Sequence, residues 1–211
     1  MKKIMMIVSL VFMMAALSAC GGSGGSHDEH ENHKQHENKS EESSQSLDWD
    51  VQSFSFKDQN DEVFGSEHIK GKVWMADFIF TNCETVCPPM TAHMAKLQQM
   101  AKEENVNVDF VSFSIDPKRD NAQARTKFGE NYDADFSSWH FLGGYSQEEI
   151  EKLAKESFKT PITADPKSDQ FIHATSFFLV DQNGTVVSRY DGVENTPYKQ
   201  IIKDIKKLTE K

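Results

Sequence analysis

A nearly unbroken apolar run at residues 72–80, KVWMADFIF, constrains the fold of this chain more than any other feature. A short continuous run of this kind is typical of a strand that is buried on both faces. The run leads directly into TNCETVCPP, in which two cysteines precede two prolines. Apolar residues then recur at helical spacing up to Leu97, and proline is favoured in the first turn of a helix. The segment therefore predicts a buried strand, a turn that carries Cys83 and Cys87, and a helix over residues 88–104.

Strand and helix patterns continue to alternate along the rest of the chain. The predicted strands are residues 51–56, 106–115, 139–142, 171–180 and 185–190, and the predicted helices are residues 121–131, 146–157 and 196–211. Ser146 and Glu149 form a capping box before the third helix, and the Asn183-Gly184 pair predicts a hairpin turn between the last two strands. This order predicts an α/β fold with a mixed central sheet flanked by helices.

The N-terminal segment has the pattern of a bacterial export signal. Three residues, Met1 to Lys3, give a positive start, and sixteen uncharged, mostly apolar residues follow at 4–19. This run is shorter than the roughly 20 residues that a membrane span needs, and it matches the core of a signal peptide. It ends in LSAC followed by two glycines, which resembles the lipobox of bacterial lipoproteins. We therefore predict a lipoprotein signal peptide at residues 1–19 and a lipid, palmitate included, on Cys20.

Residues 20–46 have the composition of a disordered linker. They are rich in Gly, Ser, His and Glu and contain no large apolar residue, so ordering them would not be offset by burial. Four histidines, His27, His30, His33 and His36, recur at every third position. Such a tract can bind transition metals loosely, or it can serve only as a solvated spacer. Residues 47–211 are predicted to form a single domain.

The charge of the chain limits its partners. The formal net charge is −10, and a nucleic-acid partner is excluded because phosphate binding requires a basic surface. Removal of Lys2 and Lys3 with the signal peptide changes this charge to −12 (−10 − 2). An acidic protein is not attracted to an anionic membrane surface, so the lipid on Cys20 would have to hold it at the extracytoplasmic face of the bacterial cell membrane.

Cys83 and Cys87 form the first candidate site. A spacing of four residues at a helical turn places their Cβ atoms about 5–6 Å apart. They can form a disulfide or present two thiolates to one soft metal ion, and a nearby helix N-terminus favours the thiolate form. An inert structural disulfide is the alternative, although closing a five-residue loop contributes little stability.

His173 is the best-placed third ligand in the domain. It precedes the apolar run at residues 176–180, and the start of that strand can lie beside the exit of the first buried strand, where the cysteines are. A lone histidine is more often structural, so spacing alone leaves its role open. His68, His93 and His140 are predicted to be structural.

These motifs together resemble the Sco/SenC family, over about residues 48–211. The matching features are FIFTNC-x-x-x-CP at residues 78–88, SIDP-x-x-D at residues 114–120, His173, and LVD with Gly184. The resemblance implies a thioredoxin-like fold with Cys83, Cys87 and His173 as copper ligands. Asp116 and Asp120 are then groups that support the loops. Two pairs depart from the family pattern, Ile79-Phe80 for Gly-Tyr and Glu84-Thr85 for Pro-Asp, and neither alters a ligand.

The resemblance implies a copper metallochaperone rather than an enzyme. Such a protein binds one Cu(I) or Cu(II) per domain and assists assembly of the dinuclear copper centre of cytochrome c oxidase subunit II. The alternative is a thiol-disulfide reductase that acts on the copper-binding cysteines of that subunit and is itself reduced by a thioredoxin-type thiol. Cys83 would then attack and Cys87 would resolve the mixed disulfide. The CxxxC spacing and the Ala174-Thr175 pair, where thioredoxins have a cis-proline, count against a general oxidoreductase. A thiol peroxidase is not favoured, because ADFIFTNC lacks the proline of that motif.

Overall fold

The computed structural model describes residues 47–210. The signal peptide, the lipidated Cys20 and the histidine-rich linker lie outside the described residues, and those assignments stay predictions. Among residues 47–210, no helix combines the length and the apolar character that crossing a bilayer requires.

The described residues form ten strands and four α-helices. In chain order the strands are β1 (Trp49–Asp50), β2 (Ser55–Lys57), β3 (Val63–Gly65), β4 (Trp74–Ile79), β5 (Asp109–Ser114), β6 (Trp139–Leu142), β7 (Thr163–Ala164), β8 (Phe171–Ile172), β9 (Ser176–Val180) and β10 (Thr185–Asp191). The helices are α1 (Cys87–Glu103), α2 (Ala122–Glu130), α3 (Gln147–Phe158) and α4 (Tyr198–Thr209).

A mixed sheet of six strands forms the centre, in the order β1-β10-β9-β4-β5-β6. β4, β5 and β6 are parallel to one another, whereas β9 is antiparallel to both β4 and β10. All six residues of β4 and all six of β5 are buried, as expected for central strands that are covered on both faces. The predicted mixed sheet with flanking helices is therefore confirmed.

Aromatic side chains from the sheet and from α3 form the core that fixes β4. The ring of Phe78 lies 5.5 Å from that of Phe113 and 5.3 Å from that of Phe158, measured between centroids. The ring of Phe178 lies 5.1 Å from that of Phe158. Burial of each such ring contributes roughly 1.5–3 kcal/mol, so the strand that leads to the cysteines has a rigid base.

The predicted turn and cap signals are confirmed. The Ser146 hydroxyl accepts a hydrogen bond from the Glu149 N–H, and the Glu149 carboxylate accepts one from the Ser146 N–H at 2.7 Å. In the hairpin between β9 and β10, Gly184 has φ +83°, a conformation that favours glycine. All four helices form within a few residues of their predicted bounds.

The prediction of one strand at residues 51–56 is wrong. β1 ends at Asp50 and β2 begins at Ser55, because the chain leaves the central sheet there and pairs with β3 instead. Between β1 and β2, side-chain hydroxyls accept the backbone hydrogen bonds that a neighbouring strand would otherwise accept. The Gln52 N–H donates to the Ser157 hydroxyl and the Phe54 N–H to the Ser66 hydroxyl, each at 2.9 Å.

The prediction of one strand at residues 171–180 is also wrong. The run divides into β8, which pairs with β7, and β9, which joins the central sheet. Residues 173–175 lie between the two strands and belong to neither. β1, β3 and β7 were not predicted, because they are two or three residues long and have no clear alternation.

Candidate metal centre

The sheet topology brings the cysteine turn and His173 to the same edge. β4 and β9 are antiparallel, with Trp74 opposite Val180 and Ala76 opposite Phe178. The exit of β4 therefore lies beside the start of β9. The turn that follows β4 meets the segment that precedes β9, as the sequence analysis predicted.

Cys87 is the first residue of α1, and Cys83 lies in the turn before it. The Cys87 N–H donates to the Cys83 sulfur, with the nitrogen 3.3 Å from Sγ. Prolines in the first turn of α1 fix the start of the helix where an N–H is not needed. Neither sulfur forms a disulfide, and both residues are buried. The two cysteines lie at the start of α1, with only Cys87 inside the helix.

The two thiols have opposite acid strengths. The pKa of Cys83 is lowered by a hydrogen bond from the Cys87 side chain and by backbone N–H groups of the turn, against the opposing effect of burial. The pKa of Cys87 is raised, first by that same hydrogen bond and then by burial. Cys83 is therefore the thiolate of the reduced pair, and Cys87 retains its proton.

His173 presents one ring nitrogen to this pair. Its Nε2 lies 4.0 Å from the Cys87 Sγ, and its Nδ1 lies 2.9 Å from the Ala174 carbonyl oxygen. Because that carbonyl can only accept, Nδ1 carries the proton and the Nε2 lone pair is directed toward Cys87. Burial lowers the pKa of His173, so the ring is neutral, as metal binding requires.

Two thiols and one imidazole are a soft donor set that fits copper or zinc. Within residues 47–210, no three His, Cys, Asp or Glu side chains form a ready-made metal cage. Metal–ligand bonds of about 2.0–2.3 Å hold two donors somewhat less than about 4 Å apart. The 4.0 Å between Cys87 Sγ and His173 Nε2 is close to the separation of two ligands of one metal ion.

Asp120 ties the exit of β4 to the exit of β5. Its carboxylate accepts hydrogen bonds from the Thr81 N–H at 3.0 Å, from the Thr81 hydroxyl at 2.7 Å and from the Ser114 hydroxyl at 2.6 Å. The backbone carbonyl of Asp120 accepts from the buried Arg125 at 2.6 Å. Asp120 thus supports the loop that leads to Cys83, in agreement with its predicted role.

An exposed polar cluster beside the site was not predicted. Arg119 donates to the Asp116 carboxylate, and its NH1 lies 2.6 Å from the Asp169 Oδ2. Asn82 Nδ2 donates to the same Asp169 oxygen at 3.0 Å. These residues come from three separate loops, and polar residues so far apart in sequence carry no pattern that predicts their pairing.

A buried carboxyl group, that of Asp77, was also missed. It lies on β4, and both of its oxygens are buried without a hydrogen-bond partner. Burial raises its pKa to about 7, although the nearby Ser112 hydroxyl opposes part of that shift. The available signal was an acidic residue in the middle of an otherwise apolar strand.

The other histidines have structural surroundings, as predicted. His93 Nδ1 lies 3.0 Å from the Gly192 carbonyl oxygen, and His68 Nδ1 accepts from the Gly65 N–H at 3.1 Å. The ring of His140 stacks on that of Phe64, with centroids 3.8 Å apart.

Comparison with known proteins gives consistent matches. A family model described as SCO1/SenC matches residues 43–210. The SCO1 protein homolog of Bacillus subtilis (strain 168) is 51% identical over 160 residues, which are 76% of this chain and 83% of the relative. The crystal structure of a SCO1/SenC family lipoprotein from Bacillus anthracis str. Ames has a TM-score of 0.75 at 51% identity, over 77% of this chain and 96% of that chain.

A second similar structure is that of BsSco, described as a member of the Sco family of cytochrome c oxidase assembly proteins in which a disulfide switch was identified. It has a TM-score of 0.73 at 50% identity, over 78% of this chain and 96% of that chain. The shared architecture is the thioredoxin-like fold, as predicted.

Proposed function

This chain belongs to the SCO1/SenC family, and from that premise we propose that it is a membrane-tethered copper metallochaperone. It would assist assembly of the dinuclear copper centre of cytochrome c oxidase subunit II. The observation that carries the proposal is the convergence of Cys83, Cys87 and His173, with Cys87 Sγ and His173 Nε2 4.0 Å apart.

The donor set suits copper in both oxidation states. Two thiolates favour Cu(I), and the added imidazole nitrogen makes Cu(II) binding possible, with one copper per domain. Cys83 is already deprotonated, whereas Cys87 must lose its proton when the metal binds. Copper affinity therefore rises with pH.

The redox state of the cysteines would control release. Thiol–disulfide exchange with an acceptor disulfide would convert the Cys83 thiolate and the Cys87 thiol into one disulfide, while the acceptor gains the two electrons and the Cys87 proton. The new disulfide no longer offers thiolate ligands. A dithiol of the thioredoxin type would reverse the step: it would reduce the Cys83–Cys87 disulfide and be oxidised to a disulfide itself. Reduced protein is then the form that binds copper.

The lipid on Cys20 and the linker at residues 20–46 would hold the domain at the extracytoplasmic face of the membrane. A tether restricts the search for a membrane-bound acceptor and raises the effective concentration of the two sites. Copper would pass to the oxidase subunit by exchange of ligands.

A transfer experiment tests the proposal. Copper-loaded full-length protein is mixed with reduced, copper-free subunit II, and the copper content and thiol content of each are measured after separation. We expect copper to move to the subunit with no change in the number of thiols on either protein. Retention of copper by the donor in the presence of excess acceptor would contradict the proposal.

The unequal acidity of the two thiols supports a second candidate, a thiol-disulfide reductase for the same subunit. The Cys83 thiolate would attack a disulfide of the subunit and release one subunit cysteine as a thiolate. Cys87 would then lose its proton and attack the Cys83 sulfur, which releases the second subunit cysteine, so the subunit gains two electrons and one proton while Cys83 and Cys87 form a disulfide. A Cys87→Ser variant should trap a mixed disulfide with oxidised subunit II if this role holds, and Cys83→Ser should not. A lack of trapped product, together with copper transfer, would favour the chaperone.

A further inference from the structure

The carboxylate of Asp169 lies where three loops meet. Its Oδ2 accepts from Arg119 NH1 at 2.6 Å and from Asn82 Nδ2 at 3.0 Å, and the Arg119 NH2 also donates to the Asp169 carbonyl. Asn82 directly precedes Cys83, and Asp169 is four residues before His173. The contacts therefore connect the segment that carries one candidate ligand to the turn that carries another.

Within this cluster, Arg119 is connected to the central sheet through Asp116. The Nε of Arg119 donates to the carboxylate of Asp116, a buried residue whose N–H donates to the Ser114 hydroxyl at the end of β5, at 3.2 Å. A further hydrogen bond joins the segment before His173 to the cysteine turn, because the Gln170 side-chain amide donates to the Asn82 carbonyl at 3.2 Å. The position of Arg119 is thus fixed by its bond to Asp116, and the segment before His173 is hydrogen-bonded to Arg119.

Few other contacts hold the segment before His173. The hairpin of β7 and β8 contains two residue pairs, Thr163 with Ile172 and Ala164 with Phe171. Phe171 packs against Phe80, with ring centroids 5.4 Å apart, whereas Ile172 is 62% exposed. A segment with so little apolar burial has a low free energy of local opening. The hydrogen bonds of Asp169 therefore determine how often the segment opens.

We propose that the Arg119–Asp169–Asn82 cluster, here named the latch, positions His173 against the cysteine pair and so allows the site to bind Cu(II) in addition to Cu(I). The inference rests on the proposed function. Two thiolates alone satisfy Cu(I), whereas Cu(II) needs the imidazole nitrogen. Opening of the latch removes that nitrogen and leaves the thiolates in place. Arg119 and Asp169 are positioning residues, since they act through His173.

Three full-length variants test the latch: Arg119→Gln, Asp169→Ala and the double variant. Lys118→Gln is the matched control for the first, because it removes a positive charge from an exposed neighbour in the same loop. Glu194→Ala is the charge control for the second, on another exposed loop. Amide hydrogen exchange of residues 165–175 is measured on the reduced, copper-free proteins, and dissociation constants for Cu(II) and Cu(I) are measured by competition with chelators.

We expect both single variants to speed exchange in residues 165–175 and to weaken Cu(II) binding about tenfold, the lower end of the effect of losing a residue that orients a metal ligand. Cu(I) binding should change less than about twofold, and the double variant should be no worse than either single one, since both break one unit. The two control variants should match the wild type.

Several results would overturn the latch: unchanged exchange in both single variants, equal losses of Cu(II) and Cu(I) affinity, or the same losses in Lys118→Gln. These results leave copper binding by the wild type intact. A wild-type protein that binds neither Cu(I) nor Cu(II) would instead overturn the proposed function and the Cu(II) binding assigned to the latch, so the two failures are distinguishable.

Discussion

Asp77 has the most unusual surroundings of any single residue near the site. An acid without a hydrogen-bond partner inside a central strand costs stability whenever it is ionised. Its pKa of about 7 means that the folded protein holds a proton there that the unfolded chain loses near pH 4. Between those two pH values the folded state binds more protons than the unfolded state, so this group makes stability fall as pH rises.

Asp77→Asn removes this pH dependence. Between pH 5 and pH 8 the wild type should lose about 2–3 kcal/mol of unfolding free energy relative to the variant, from the raised pKa of the carboxyl. Urea unfolding of the reduced proteins at several pH values measures the difference. Asp133→Asn, at an exposed position, should follow the wild type. Parallel curves for the wild type and Asp77→Asn would show that the carboxyl does not titrate in this range.

We predict that Cu(II) binding depends on His173. His173→Ala removes the single nitrogen donor, so Cu(II) affinity should fall by more than about 100-fold, beyond the usual effect of losing an outer-shell partner. The unfolding free energy should change by no more than about 1 kcal/mol, because the ring is only half-buried. His68→Ala is the matched control. Unchanged Cu(II) affinity in a titration of reduced His173→Ala would remove this residue from the site.

At the scale of elements, the site depends on how the loops after β4 and β5 are joined. Asp120→Ala would leave the Thr81 N–H, the Thr81 hydroxyl and the Ser114 hydroxyl without their acceptor. Unpaired buried donors are costly, so the unfolding free energy should fall by about 2–4 kcal/mol. Denaturant unfolding measures this change, and Glu62→Ala, at an exposed site, should stay within about 0.5 kcal/mol of the wild type. An equally small effect of Asp120→Ala would mean that these hydrogen bonds do not hold the loop.

Much of the element order could be predicted because local patterns determine it. The apolar run of β4, the capping box of α3 and the turn at Gly184 each act over a few residues. The break at residues 173–175 could not be predicted, because apolar residues continue on both sides and the strands part only in response to different partners.

The site shows the same division between local and long-range information. The cysteine spacing and the α1 start are local, so they were found from the sequence. The approach of His173 follows from the antiparallel pairing of β9 with β4. The contacts of Asp169 with Arg119 and Asn82 join exposed polar residues 50 and 87 positions apart, and no sequence pattern marks such contacts.

At the scale of the whole molecule, the predicted lipid on Cys20 would decide where the domain acts. The acidic charge offers no attraction to an anionic membrane, so membrane localisation would depend on the predicted lipid on Cys20. Mass spectrometry of protein from the membrane fraction should show a mature chain that begins at Cys20 and carries acyl groups. Cys20→Ser should be neither lipidated nor cleaved at this position, whereas Cys83→Ser should be processed normally. A mature chain that starts elsewhere, or without lipid, would contradict the anchor.

Copper binding by the cysteine pair and His173 can be measured directly by titrating the reduced full-length protein with Cu(II) while its absorption spectrum is recorded. Loose binding by linker histidines has no sulfur-to-copper charge transfer, so the intensity of that band reports the domain site alone. We predict that the band saturates at one Cu(II) per protein and is lost in Cys83→Ser and in Cys87→Ser. A wild-type titration without the band, or a band that persists in both cysteine variants, would contradict copper binding at this site.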